Sequence, residues 1–210
     1  MSPPRIRAGQ RTSTRILDGA LELFERDGSA KVTTNHIAAH IGISPGNLYY
    51  WFSDKDQIIR ALWARFDGEE AALWEGDDQI PGPDAVVTRL AAVAARSRAY
   101  RFLARDLLAL THTDPVLRAA YLATRDRRLT LLSMLARSWR ADGLIWPIDD
   151  DDLGDLVQAL YLLAETWWPY AELTSGPPDP ADGERLLRAL LEPYLAPLAD
   201  TGLPAGAAHD

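Results

Sequence analysis

The chain has 210 residues, 47% of them apolar, and a formal net charge of −8; that length suits one domain with a large core or a small domain fused to a larger one. It has no cysteine, which excludes disulfides, thiolate metal sites and a cysteine nucleophile and fits a reducing cytoplasm. No apolar run approaches the roughly 18 residues of a membrane span, so no membrane partner is expected.

The charge is unevenly placed. Residues 1–60 hold 8 Lys+Arg against 6 Asp+Glu, net +2, and residues 61–210 hold 14 against 24, net −10. Positive charge concentrated at one end is what phosphate contact needs. The acidic remainder reads at least as well as an ordinary solvated surface. Residues 1–9, with two prolines, two arginines and a glycine, read as a flexible arm: Arg5 and Arg7 are minor-groove candidates, or the segment is only a loose terminus. No apolar run follows this charged start, so no secretory signal is expected.

A first helix is predicted over 10–27, with Ile16, Ala20, Leu23 and Phe24 as its apolar stripe and Gly28 as its stop. Thr33 then has the chemistry of an N-cap, and Ile37, Ala38 and Ile41 share a helical face. Gly42 ends that helix because glycine reaches the left-handed cap without strain. Ser44 caps the next helix and Pro45 takes its first position, where a missing N–H is harmless. Leu48 and Phe52 face inward, which leaves Pro45, Gly46, Asn47, Tyr49, Tyr50 and Trp51 at the surface or its edge. Ser53, with Asp56 three residues on, reads as the cap of a further helix.

Helix, tight glycine turn and helix make a helix-turn-helix, whose second helix enters the major groove of double-stranded DNA. Asn47 has the two-pronged amide that pairs with adenine. Tyr49 and Tyr50 offer rings to thymine methyls and hydroxyls to phosphate. Lys55, beside a helix N-terminus, suits a phosphate. Thr33, Thr34 and Ser44 complete the candidate DNA contacts. A structural or protein-docking use of the same motif stays open.

These residues resemble the DNA-binding domain of TetR-like transcriptional regulators. The similarity starts at Ile16 and is carried by Ala20, Phe24, Gly28, Ile37, Ala38, Gly42, Leu48, Tyr49, Phe52 and Lys55. Trp51 stands where that family most often has a phosphate-contacting histidine; an indole N–H donates one hydrogen bond and carries no charge.

Downstream, a long helix over 55–75 carries Ile58, Ile59, Leu62, Trp63 and Phe66. Residues 76–84 are a turn-rich break. A helix from about 85 to 111 follows, open to a kink or split near Arg96 to Arg98. Asp114 and Pro115 start another that runs to Arg140 and is stopped by Gly143. Asp149 to Asp152 open a helix that ends near Thr174, and a last helix spans 181–198. The segment from Arg98 to Leu129 also resembles the regulatory domain of one branch of the same family. The fold expected is all-α, about nine helices: arm 1–9, DNA-binding domain 10–54, ligand-binding and dimerisation domain 55–198, and tail 199–210.

The last two helices are apolar most of the way round, so one side suits the chain's own core and another a two-fold partner. Leu156, Leu160, Leu163, Trp168, Leu187, Leu191 and Tyr194 are the dimer candidates; a wholly internal core is the alternative. The resemblance implies dimerisation through those helices, a near-palindromic operator, and a repressor released when a small, mainly apolar molecule shifts the long helix after the DNA-binding domain. Trp63, Phe66, Phe102, Tyr121, Trp139, Tyr161 and Trp167 are candidate pocket aromatics, with Asp106, His112 and Glu165 as polar groups, though aromatics at helical spacing also serve as plain core. A helix-turn-helix scaffold or docking dimer without a ligand is the other reading. His36 and His40 have zinc-pair spacing but lack the intervening glutamate of a metalloprotease. Nucleophile and cofactor motifs are absent, so neither an enzyme nor a cofactor is expected.

Overall fold

The computed structural model describes residues 4–75, 80–176 and 178–196. Among them are nine α-helices: α1 (Pro4–Asp27), α2 (Thr34–His40), α3 (Pro45–Trp51), α4 (Lys55–Ala71), α5 (Pro83–Ser97), α6 (Arg101–Thr113), α7 (Pro115–Ala141), α8 (Asp150–Ser175) and α9 (Pro180–Leu191). Short 3-10 turns follow α4, α5 and α9. The described residues contain no strand; one isolated antiparallel bridge joins Ile145 to Leu195. No helix among them is long and apolar enough to cross a membrane.

Helix α1 starts at Pro4, so most of the expected arm is helical. Proline breaks a helix interior but is at home in a first turn, and the residues after it are mostly good helix formers. The side chains of Arg5 and Arg7, and the tail from residue 197, lie outside the described residues. The cap of α4 is Asp54 rather than Ser53: its carboxylate accepts from Gln57 N at 2.7 Å. Both residue types cap well, and only the backbone turn chooses between them. The helix expected over 85–111 is split by a 3-10 turn at Arg98–Tyr100. The last helix stops at Leu191, before Pro193, and residues 194–196 pair with 144–146 instead.

Two cores organise these helices. One joins Ile16, Ala20, Phe24, Ile37, Leu48 and Phe52 of the first three helices and the α3–α4 junction to Ile58, Ile59, Leu62, Trp63 and Phe66 of α4, and then to Tyr100, Phe102, Leu103 and Leu117. The other gathers α5, α7, α8 and α9 around Val86, Leu90, Leu135, Trp139, Leu156, Leu160, Leu187 and Leu191. The first core therefore runs through the boundary drawn at residue 55, and α4 and α6 belong to both halves. Polar contacts line the same seam. Glu25 accepts from Phe102 N at 2.8 Å and from Arg101 Nε at 3.0 Å. Ser29 Oγ donates to Asp106 Oδ2 at 2.6 Å, and Arg65 Nη1 donates to Asp18 Oδ1 at 2.6 Å.

Asp114 carries a testable charge. Its carboxylate caps α7 by accepting from Val116 N at 2.9 Å and Leu117 N at 3.1 Å, and accepts from Arg60 Nε at 2.6 Å. Burial pushes this carboxyl up, but Arg60 and the two amides outweigh it and hold it below the usual carboxylate range. A depressed folded value means the stabilisation is full above the unfolded value, near pH 4, and fades as pH falls through the folded one. Asp114→Asn should thus cost about 1–2 kcal/mol at pH 7. In urea melts the gap from the parent protein should begin to narrow below roughly pH 4 and close only below the depressed folded value. A pH-independent gap would assign the loss to shape rather than charge.

Candidate nucleic-acid interface and cavity

The turn between α2 and α3 is set by local chemistry. Thr33 and His36 form a capping box, with His36 N donating to Thr33 Oγ1 at 3.2 Å and Thr33 N donating to His36 Nδ1 at 3.4 Å. Gly42 has φ of 70°; its N–H bonds Ala39 O at 3.3 Å while Ile43 N bonds Ala38 O at 3.0 Å, the paired bonds of a Schellman stop. Ser44 Oγ accepts from Asn47 N at 3.2 Å, so Asn47 enters the first turn of α3 with its side chain directed outward. Arg15 Nη2 donates to Ile41 O at 2.9 Å and ties α1 to the end of α2.

Leu48 is completely buried and Phe52 nearly so, while Pro45, Gly46, Asn47, Tyr49 and Tyr50 are exposed. Nothing stands near the missing side chain of Gly46, so a DNA backbone can approach there. Thr34 Oγ1 and Tyr49 OH lie 2.9 Å apart; one hydroxyl proton makes that bond and the other remains available to an acceptor. Tyr50 is 79% exposed and meets the half-buried Trp51 ring edge-on at 5.1 Å. Trp51 also packs against the first core. Lys55 Nζ donates to Ser29 O at 2.8 Å, so its ammonium is partly engaged with the loop after α1, and two further protons remain for phosphate. His40 Nε2 lies 2.7 Å from Glu22 Oε2. Among the described residues no group of three or more His, Asp or Glu converges as a metal site.

Between the two cores is a cavity of about 520 Å³. Of the candidate pocket residues, Trp63, Phe66, Tyr121 and Tyr161 line it. Four other candidates do not. Phe102 packs on Phe24 at 5.0 Å, in the seam with the DNA-binding half. Asp106 faces Ser29 and Arg105. Trp139 is in the second core and donates Nε1–H to Pro81 O at 2.8 Å. Trp167 lies over Gly183 of α9, where a side chain would collide with its ring. Of the polar groups named from sequence, Glu165 lines the cavity and His112 does not.

Sequence reasoning missed the cavity's charged wall of Asp67, Glu70, Arg127 and Arg128. Glu70 is 2% exposed and pairs with Arg128. It falls seven and four positions after Trp63 and Phe66, so an acid on the apolar stripe of α4 was its visible signal. Tyr121 OH donates to Glu165 Oε2 at 2.9 Å. Burial first and the Glu165 charge second push this phenol up to about 12, so it stays neutral; the same causes raise Tyr161.

The proposed dimer residues are placed differently from expectation. Leu156, Leu160, Trp168, Leu187 and Leu191 are all buried within the single chain, and Leu163 and Tyr194 are half-buried against it. Helix α8 touches α5, α6, α7 and α9, which take up most of its apolar circumference internally. The apolar residues α8 leaves outward are Leu162, Tyr170 and Leu173, exposed by 48, 69 and 83%, and α9 leaves Leu186.

Two family models match the chain, one described as bacterial regulatory proteins, tetR family, over residues 16–62, and one as bacterial transcriptional repressor, TetR, over residues 70–202. The regulator UidR of Escherichia coli is 27% identical over 134 residues, 62% of this chain and 66% of UidR, just under two thirds of its length. A TetR-family transcriptional regulator from Marinobacter aquaeolei is 31% identical with a TM-score of 0.80, covering 89% of this chain and 92% of that one. A putative regulator from Saccharomonospora viridis, solved in complex with choline, shares the fold at 20% identity and a TM-score of 0.69, over 87% of this chain and 96% of its own.

Proposed function

The chain belongs to the TetR family of bacterial transcriptional regulators, which are not enzymes, and from that premise we propose that it is a dimeric cytoplasmic repressor that a small, mainly apolar ligand releases from a near-palindromic operator. Base reading falls to Pro45, Gly46, Asn47, Tyr49 and Tyr50 of α3, with Thr33, Thr34, Ser44 and Lys55 on phosphates and Trp51 behind them. The observation that carries the ligand response is the double use of α4 and α6. Trp63 and Phe66 of α4, and Leu103 and Leu107 of α6, line the cavity. On the same two helices Ile58, Ile59 and Phe102 are buried in the core of the reading head. A ligand that spreads the cavity walls displaces the helices on which the head is seated, and in a dimer it changes the separation of two heads. The outward residues Leu162, Tyr170 and Leu173 of α8, with Leu186 of α9, replace the sequence-derived set as the partner face.

Selection of random duplex DNA tests this directly. Two inverted half-sites about one helical turn apart, near 34 Å, are expected; a single half-site would remove the dimer, and no enrichment would remove sequence reading. On the selected site Asn47→Ala should cost roughly 1–3 kcal/mol and relax one base position, whereas Lys55→Ala should weaken all sequences alike and lower the salt slope. Equal losses for Asn47→Ala on selected and random DNA would rule out base reading by that residue.

A further inference from the structure

We propose that the cavity takes an organic cation, with an aromatic or aliphatic body against its ring-lined walls and one positive group between Glu165 and the Tyr161 hydroxyl. This deepens the reading of the cavity as the ligand site and rests on it.

Charge balance is the first support. The lining carries three acids, Asp67, Glu70 and Glu165, and two bases, Arg127 and Arg128. Arg127 Nη2 holds both oxygens of Asp67, at 2.7 and 2.9 Å. Arg128 is set against Glu70 and reaches Glu165 Oε1 only at 3.5 Å. Arg125, beside this wall, is taken by Asp126 at 2.9 Å. The other oxygen of Glu165 accepts from the neutral Tyr121, which satisfies a lone pair without cancelling charge. One negative charge is therefore left over, and it sits on Glu165.

The second support is independent of charge. Tyr161 is 3% exposed and lines the cavity, and its enclosed hydroxyl makes no hydrogen bond of ordinary geometry. Glu165 is close enough to act on that hydroxyl without satisfying it, and a poorly paired buried hydroxyl is costly and marks a place for a further polar atom. Third, Trp63, Phe66 and Tyr121 line the same space, and aromatic faces attract cations; the lining rings of Tyr100 and Trp74 already meet cations in this way, from Arg65 at 5.5 Å and Arg89 at 5.8 Å. An anion would meet an acidic wall whose two guanidinium groups are already engaged. Leu108 of α6 also lines the cavity and is 86% exposed, so the cavity opens to solvent beside α6.

Three probes with one naphthalene body test the idea by calorimetric titration of the full chain: 1-naphthylmethylammonium, 1-naphthylmethanol and 1-naphthoate. The ammonium should bind about tenfold tighter than the alcohol and the carboxylate weakest. Glu165→Gln, with folding checked by melting, should abolish the ammonium's advantage and leave alcohol binding within about twofold. Tyr161→Phe should weaken the ammonium severalfold more than the alcohol. If ammonium and alcohol bind alike and neither responds to Glu165→Gln, the cationic class is wrong while the cavity remains a ligand site. If no probe binds, the cavity reading falls and this inference falls with it.

Discussion

Phe102→Ala is expected to remove about 3–5 kcal/mol of folding stability, the range for deleting a fully buried phenylalanine whose surroundings collapse only in part. Phe102 is completely buried and meets Phe24 at 5.0 Å with the rings tilted by 47°. Its backbone N–H is held by Glu25 of α1 at 2.8 Å. The gap would thus open in the joint between the reading head and α6, away from the cavity. Two consequences separate this site from an ordinary core position. The head should become the first unit to open, with amides of α1 to α3 losing hydrogen-exchange protection before those of α8 and α9. Ligand affinity should hold at temperatures where the protein is folded, because Phe102 does not line the cavity, while the ligand's effect on operator binding should shrink. A stability loss under about 1 kcal/mol would mean that the surroundings refill the space and that no rigid joint exists there.

How much of this the sequence discloses depends on how local the determining chemistry is. The α2–α3 turn was readable because Thr33, Gly42, Ser44 and Pro45 each act on backbone within a few residues. The cap of α4 was read one residue early because Ser53 and Asp54 are both good caps and only the turn geometry selects Asp54. Helix α6 shows why the sequence alone does not sort cavity walls from core. Periodicity identifies its apolar residues, but the helix has two neighbours; Phe102 faces the head while Leu103 and Leu107 face the cavity. The dimer face was hard to read for a related reason. An apolar circumference on α8 suggests a partner, yet α5, α6, α7 and α9 all lie against that helix. The exposed Tyr170 and Leu173 lie past most of its buried turns. Charges set within apolar stripes carry the signal: Glu165 between Tyr161 and Trp168, which was read from the sequence, and Glu70 after Phe66, which was missed.

Those interrupted stripes lead to the second large effect. Arg128→Met should cost about 3–5 kcal/mol at neutral pH, the usual result of removing one member of a buried ion pair. Arg128 lies against Glu70, whose carboxylate is almost fully enclosed, and within 3.6 and 3.5 Å of Asp67 and Glu165. Asp67 keeps Arg127 when Arg128 is lost, but Glu70 has no other cation within ion-pair distance among the described residues. The reverse change is gentler. Glu70→Leu leaves Arg128 beside two remaining carboxylates, so the smaller loss belongs to the acid even though it is the more buried group. The two changes should also be strongly non-additive. With Glu70→Leu already present, Arg128→Met removes a charge whose main partner is gone, and the double variant should recover most of the single Arg128→Met loss. Urea melts of the four proteins give the coupling. Simple additivity would show that Arg128 is held by the acids as a group rather than by Glu70, and the excess negative charge could not then be assigned to Glu165 alone.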